Sequence, residues 1–171
     1  MSERSQKFVN YIIQRVQAHK GDAAALRRAD NPNTEYQAWE VLAGFGVKLD
    51  SENERLPFAT IAADIARVKP TVNGKGQIGQ AIARCYEDGN QSEQAKAKLR
   101  RLLACDSTSE ACRIFRPLLT LIESKGGTAL DYAKLLEDLL WFSHDESRQR
   151  IKAKWAQNFY GKHTVEEGEN E

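Results

Sequence analysis

Residues 107–141 read STSEACRIFRPLLTLIESKGGTALDYAKLLEDLLW, and one signal occurs twice in this stretch. Ser107 stands three residues before Glu110, and Thr128 three before Asp131. In such a pair the first side chain accepts from an orphan N–H of a helix start while the acid reaches back. Each pair precedes an apolar-periodic run, and Lys125-Gly126-Gly127 separates the two, as a glycine-marked break should. The stretch therefore reads as two helices, near 108–124 and 129–142. Pro117 lies inside Ile114-Phe115-Arg116-Pro117-Leu118-Leu119. Without an N–H to donate, it should kink its helix or divide it in two.

Outward from this stretch the same reading extends along the chain. Thr34…Gln37, Ser51…Glu54 and Ser143…Glu146 repeat the capping pattern, and Phe8, Ile12 and Val16, with Val9 and Ile13 beside them, recur at helical spacing. Further helices are expected near 4–19, 22–29, 35–44, 52–68, 76–87, 91–104 and 144–160, with Pro57 straining the fourth of these. No segment shows sustained period-two alternation of β-branched residues, so no sheet is expected. The expected fold class is all-α, a compact bundle of about eight or nine helices. Breaks fall at Asp30-Asn31-Pro32-Asn33, at Lys69-Pro70-Thr71-Val72-Asn73-Gly74 and at Asp88-Gly89-Asn90. The last of these is the best boundary between two lobes, about 1–88 and 91–162, of a single helical domain over 1–163.

Composition narrows the functional classes. With 171 residues, 41% hydrophobic and 29% charged, the chain can bury a core without disulfides or metal. No run approaches the roughly 18 apolar residues of a membrane span, so no membrane partner is expected. Nor does an apolar signal core follow Met1–Lys7, and a cytoplasmic protein is expected. Cys85, Cys105 and Cys112 are scattered and fit reduced, buried thiols. The net charge of +1 conceals an asymmetry: residues 164–171 hold four glutamates and no base, so the rest of the chain carries +5. Those eight residues read as an acidic, flexible tail.

Several patterns imitate chemistry. Gly74-Lys75-Gly76-Gln77-Ile78-Gly79 spells G-x-G-x-x-G, but a dinucleotide site needs that loop after a buried strand, and here it follows a helix and a proline. It reads first as an interhelical loop and second as a glycine-rich helix start able to hold a backbone phosphate. His144-Asp145 resembles a metal pair, yet the other histidines, His19 and His163, lie near the two ends. Asp145 and Glu146 instead complement the positive end of a helix. No spacing pairs a nucleophile with a base and an orienting group, so neither catalysis, a metal nor a cofactor is expected.

The residues that remain are cations. Arg27-Arg28 close a short helix; Lys96, Lys98, Arg100 and Arg101 flank the apolar stripe of another; Arg148, Arg150, Lys152 and Lys154 recur on the last helix around Ile151, Trp155 and Phe159; Arg113 and Arg116 form an i,i+3 pair between. The candidate nucleic-acid-binding residues are Arg27, Arg28, Lys96, Lys98, Arg100, Arg101, Arg113, Arg116, Arg148, Arg150 and Lys154. Arg148 falls in line with Ile151 and Trp155 and is the one nearest the core. Such a surface neutralises phosphates without reading sequence, and arginine's fork favours phosphate. Solvation, or pairing with Glu93, Glu110, Glu123 and Glu137, is the structural alternative. The aromatics Trp39, Trp141, Trp155, Phe115, Phe142 and Phe159 read as core rather than as stacking platforms.

Leu26-Arg27-Arg28, Ile78-Gly79-Gln80-Ala81, Leu99-Arg100-Arg101-Leu102-Leu103, Phe115-Arg116-Pro117-Leu118-Leu119, Leu130-Asp131-Tyr132, Leu135–Trp141 and Trp155–Tyr160, in this order and spacing, carry a resemblance. The chain resembles the CasB family, the small subunit of the type I-E CRISPR surveillance complex called Cascade, over roughly residues 8–161. The resemblance implies an all-helical, non-catalytic subunit that joins the complex as a pair of copies, so that a second copy of itself is a partner. Its implied partners are the other Cascade subunits, the crRNA, and the target and displaced DNA strands. Exchanging a DNA duplex for an RNA–DNA heteroduplex is nearly balanced in energy, so weak backbone contacts can tip it. The competing reading is a helical adaptor that binds only protein; a helical hydrolase is a distant third.

Overall fold

The computed structural model describes residues 2–125 and 127–161; the acidic segment 164–171 and His163 lie outside them. Nine α-helices occur among the described residues: α1 (Glu3–Ala18), α2 (Lys20–Leu26), α3 (Trp39–Phe45), α4 (Glu52–Val68), α5 (Ile78–Arg84), α6 (Glu93–Leu103), α7 (Thr108–Ser124), α8 (Tyr132–Trp141) and α9 (Asp145–Tyr160). A 3-10 turn over Glu35–Ala38 leads into α3, so the helix expected at 35–44 is two elements. No strand forms among these residues; Gly76 and Leu130 make one isolated bridge. The protein is all-α.

The centre is α4. Every residue from Pro57 to Ala66 is buried, which is the pattern of a helix enclosed on all sides rather than amphipathic. Helices α1, α2, α7 and α8 pack around it, while α5 lies along α9 and is bordered by α6. One continuous apolar core runs from Phe8 to Phe159. Three buried or half-buried polar ties cross it. The Tyr132 hydroxyl donates to Asp64 at 2.8 Å, joining α8 to α4. Trp155 Nε1 donates to Asp138 at 3.1 Å, joining α9 to α8. The Ser5 hydroxyl donates to Glu137 at 2.7 Å, joining α1 to α8.

Neither proline divides its helix: α4 and α7 run unbroken through Pro57 and Pro117. Of the five expected capping pairs, Ser107 alone behaves as expected, accepting from the Glu110 N–H. The Thr34 hydroxyl instead donates to the Arg28 carbonyl. Asp131 caps α8 in place of Thr128, accepting from Lys134 N–H, and neither Ser51 nor His144 makes a side-chain cap bond. Two other serines supply caps elsewhere, Ser2 to α1 and Ser92 to α6.

The G-x-G-x-x-G loop is structural. Gly74 N–H and Gly76 N–H donate to Leu130 and Ala129 carbonyls at 3.0 and 2.8 Å, and Asp131 N–H returns to Gly76 O at 2.9 Å. A Cβ at Gly74 or Gly76 would overlap the backbone or side chain of residues 128–130, and at Gly79 it would overlap the Trp155 carbonyl of α9. The three glycines therefore allow close backbone approach on one side to the start of α8 and on the other to α9.

Candidate nucleic-acid interface

The cations that sequence pattern placed off the apolar stripes do lie outside the core. Arg27, Arg28, Arg100, Arg101, Arg113, Arg116, Arg150 and Lys154 are exposed, while Lys96 and Lys98 are half-buried. Their burdens differ. Among the described residues Arg27, Lys98, Arg100, Arg101, Arg113 and Lys154 make no ion pair, whereas Lys96 is paired to Glu93 at 3.3 Å and Arg116 reaches Asp30 at 3.7 Å. Arg28 donates to the Gln37 amide oxygen at 3.1 Å and Arg150 to the Ser147 hydroxyl at 3.3 Å.

Two helix junctions gather some of them, while Arg27, Arg28, Lys96 and Arg100 line neither. Between α6 and α7, Lys98 and Arg101 border a small groove floored by Ile114, Pro117 and Leu118. One turn away on α7, Arg113 and Arg116 border a cavity of about 310 Å3 whose far wall includes Ala29, Asp30 and Arg55. Asp30 binds Arg67 at 2.7 Å as well as approaching Arg116, which ties the Arg27–Asp30 turn to α4 and α7. The second junction is the α8–α9 cleft, where Arg150 and Lys154 stand across from Lys134.

Arg148 does not belong to this surface. Its Nη1 donates to the Phe142 carbonyl at 3.2 Å, Nη2 pairs with Asp145, and Nε is buried. The guanidinium fastens the start of α9 to the end of α8, because helical spacing turns position 148 inward with Ile151 and Trp155. Lys152, not among the candidates, pairs with Asp106 at 3.4 Å.

Two aromatics also depart from expectation. Trp155, Phe115, Phe142 and Phe159 are core, but Trp141 is 50% exposed and Trp39 37%. The buried stripe of α8 is Tyr132, Leu135, Leu136 and Leu139. Trp141 instead shares the i, i+3, i+7 face of Lys134 and Glu137, a signal available in the sequence. A further basic site was not anticipated: Arg84 and Lys125 border a cavity of about 270 Å3 with Cys85 and Thr128. They come from α5 and the end of α7, far apart in sequence, so local pattern could not pair them.

The buried carboxylates serve the scaffold. Burial pushes Asp64 above its ordinary range despite the Tyr132 hydroxyl and Arg67 beside it, and burial likewise raises Asp138 despite Lys134 and Trp155. Burial acts against Glu137 too, but hydrogen bonds from Ser5, Ser2 and Trp141 outweigh it and hold that carboxyl low. All three cysteines are free and buried, and desolvation pushes the Cys112 thiol up to about 12, which suppresses the thiolate. Among the described residues no three His, Cys, Asp or Glu side chains gather as metal ligands, and no helix is long and apolar enough to cross a membrane.

Comparison with known proteins identifies the family. The family model of the CRISPR-associated protein Cse2 matches residues 22–160. The chain belongs to the Cse2 family. A solved Cse2-family, CRISPR-associated protein from Thermus thermophilus shares 22% identity, with 95% of this chain and all of that one aligned at a TM-score of 0.75. A solved CasB, also from Thermus thermophilus, shares 25% identity over 95% of this chain and all of its own, with a TM-score of 0.72. A chain of a CRISPR RNA-guided surveillance complex shares 19% identity over 92% of this chain and 91% of its own, at 0.69. No curated protein matches. The resemblance to CasB read from the sequence is therefore confirmed, and this Cse2-family chain carries its exposed arginines on a fold common to those structures.

Proposed function

We propose that this Cse2-family protein is a non-catalytic, nucleic-acid-binding small subunit of a type I-E CRISPR surveillance complex. In this role it steadies the guide RNA–target DNA duplex and the displaced strand through sequence-independent phosphate contacts. The observation that carries the reading is the set of candidate cations that make no ion pair among the described residues and stand outside the core, Arg27, Lys98, Arg100, Arg101, Arg113 and Lys154. Unpaired, exposed guanidinium groups retain their full capacity for phosphate. Opening a DNA duplex against a guide is nearly isoenergetic, so a few such contacts shift the balance towards the opened state. The other subunits, the crRNA, both DNA strands and a second copy of this chain are the partners in this reading, and the cytoplasm is its compartment.

The test is filter binding of DNA and RNA across a salt series. Log affinity should fall linearly with log salt. Charge reversal at Arg27, Arg101 or Arg150 should weaken binding alike for unrelated sequences and reduce the salt slope by about one per lost contact, with thermal stability unchanged. An affinity indifferent to salt rules out the phosphate model. Variants that bind nucleic acid normally but fail to co-purify with the complex would make these arginines protein-docking residues, in favour of the adaptor.

A further inference from the structure

Trp141 is the largest aromatic on the surface of α8, and its ring is held in place. Its Nε1–H donates to Glu137 Oε1 at 3.0 Å, and Glu137 Oε2 accepts from the Ser5 hydroxyl at 2.7 Å. The polar edge of the indole is thus occupied and both carboxylate oxygens are in use. Ring faces remain, half-exposed, with His144 at 5.2 Å between centroids and tilted by 43°.

That ring forms part of the wall of the α8–α9 cleft, an open groove of about 340 Å3. This lies within the roughly 300–1,000 Å3 range of small-ligand sites. Across the cleft, α9 contributes Arg150, Lys154 and the apolar side of Ile151. Lys134 is neutralised by Asp138 at 2.9 Å; Arg150 binds only the Ser147 hydroxyl and Lys154 binds no carboxylate. A fixed aromatic face opposite two uncommitted cations suits a base with its adjoining phosphates. A duplex keeps its base faces inside the stack and cannot offer one to the ring, whereas a single strand can.

We propose that the α8–α9 cleft is a stacking subsite for one unpaired nucleotide, with Trp141 against the base and Arg150 and Lys154 on the flanking phosphates. The inference rests on the nucleic-acid reading above and adds to it a grip on the single strand that depends on its bases. Phosphate contacts alone hold a strand whether or not its bases are present. Stacking requires them, while remaining tolerant of which base is offered.

Fluorescence anisotropy with the full chain, a labelled oligothymidine and a backbone-matched abasic strand separates the two contributions. The wild-type chain should bind oligothymidine on the order of tenfold more tightly than the abasic strand, the scale expected for one stacked base. Trp141→Ala should abolish that preference while leaving abasic affinity and thermal stability in place, and Trp141→Phe should restore most of it. Arg150→Ala with Lys154→Ala should weaken both strands. A preference that survives Trp141→Ala overturns the subsite. Equal wild-type affinity for both strands also overturns the subsite and leaves the phosphate reading standing, whereas no binding to either removes both. If Trp141→Ala spares oligonucleotide binding but prevents co-purification with the complex, the cleft seats a protein and the proposal fails.

Discussion

Replacing Trp155 by alanine removes the side chain on which the C-terminal half of the core converges. Trp155 is 1% exposed, stacks on Phe142 at 5.7 Å and meets the edge of Phe115 at 5.5 Å, and donates its indole N–H to Asp138. Truncating a buried tryptophan costs about 3–5 kcal/mol in lost transfer and residual cavity. Asp138 Oδ2 then loses a donor inside the protein, a further penalty of about 1–3 kcal/mol that overlaps the first. A combined loss of about 4–6 kcal/mol, at about 2–4 °C per kcal/mol for a chain of this size, lowers Tm by roughly 10–20 °C. Trp155→Phe separates the two contributions, since it keeps much of the ring packing and loses the hydrogen bond; its cost should be about 1–3 kcal/mol. Thermal and urea unfolding followed by circular dichroism measure both. A fall in Tm of less than about 3 °C for Trp155→Ala would refute the reasoning, because a residue so enclosed cannot be removed that cheaply.

The other variants probe separate joints. Gly79→Leu should destabilise more than the usual surface change, by about 1–3 kcal/mol or more, because any Cβ there meets the Trp155 carbonyl and lies 2.7 Å from Phe159 N; a neutral melting curve would mean that α5 and α9 can separate freely. Arg148→Ala should lower Tm while folded protein retains its affinity for nucleic acid, the reverse of Arg101→Glu; parallel melting and filter-binding measurements decide. Asp64 binds its proton more readily in the fold than its ordinary value of 3.8 allows, so its contribution is fully present below that value and is lost as pH rises through the higher folded value. Relative to wild type, Asp64→Asn should therefore gain stability as pH rises above 3.8 through the raised folded value, and a difference in Tm that stays flat as pH rises would remove Asp64 as the source. Glu137 has the opposite sign: held below 4.5, it stabilises the fold above that value and less as pH falls below it, so the cost of Ser5→Ala should shrink in acid.

Local pattern exposed most of the helices, because 3.6-residue periodicity is written into each of them separately. The limits of α4 and α7 fall where apolar spacing and the flanking Ser51 and Ser107 place them. The failures have a common physical source. Residue type alone selects capping pairs such as Thr34…Gln37 and Thr128…Asp131, but a cap is chosen by the path of the chain: Asp131 is already held by Asn73 at 2.8 Å and sits one residue before α8. Each proline removes one N–H, yet the tertiary packing of Pro57 and of Leu118 and Leu119 beside Pro117 keeps both helices continuous. Of the candidate cations, Arg148 lies inward, as its spacing with Ile151 and Trp155 predicts, and its guanidinium is bonded to Phe142 and Asp145. Arg84 and Lys125 were missed because only the crossing of α5 with α7 brings them together.

The contrast between Arg148 and Arg101 shows how this fold divides labour between like residues. A guanidinium presents five donors in a fixed plane. Arg148 uses that plane on the Phe142 carbonyl and on Asp145, closing the turn between α8 and α9. Arg67 does the same between Asp30 and Asp64, and Arg55 between Glu35 and the Leu49 carbonyl. These arginines add side-chain ties to connections that also carry their own backbone hydrogen bonds. With those positions satisfied internally, α6, α7 and α9 can leave Lys98, Arg101, Arg113 and Lys154 unpaired without weakening the bundle. Exposed, uncommitted cations cost little in stability and retain their charge for a ligand. Rigid helices then hold them at fixed separations, which spares a bound phosphate chain part of the ordering cost that mobile loops would add. In the role proposed above, a surface assembled in this way would gain affinity from position rather than from sequence recognition.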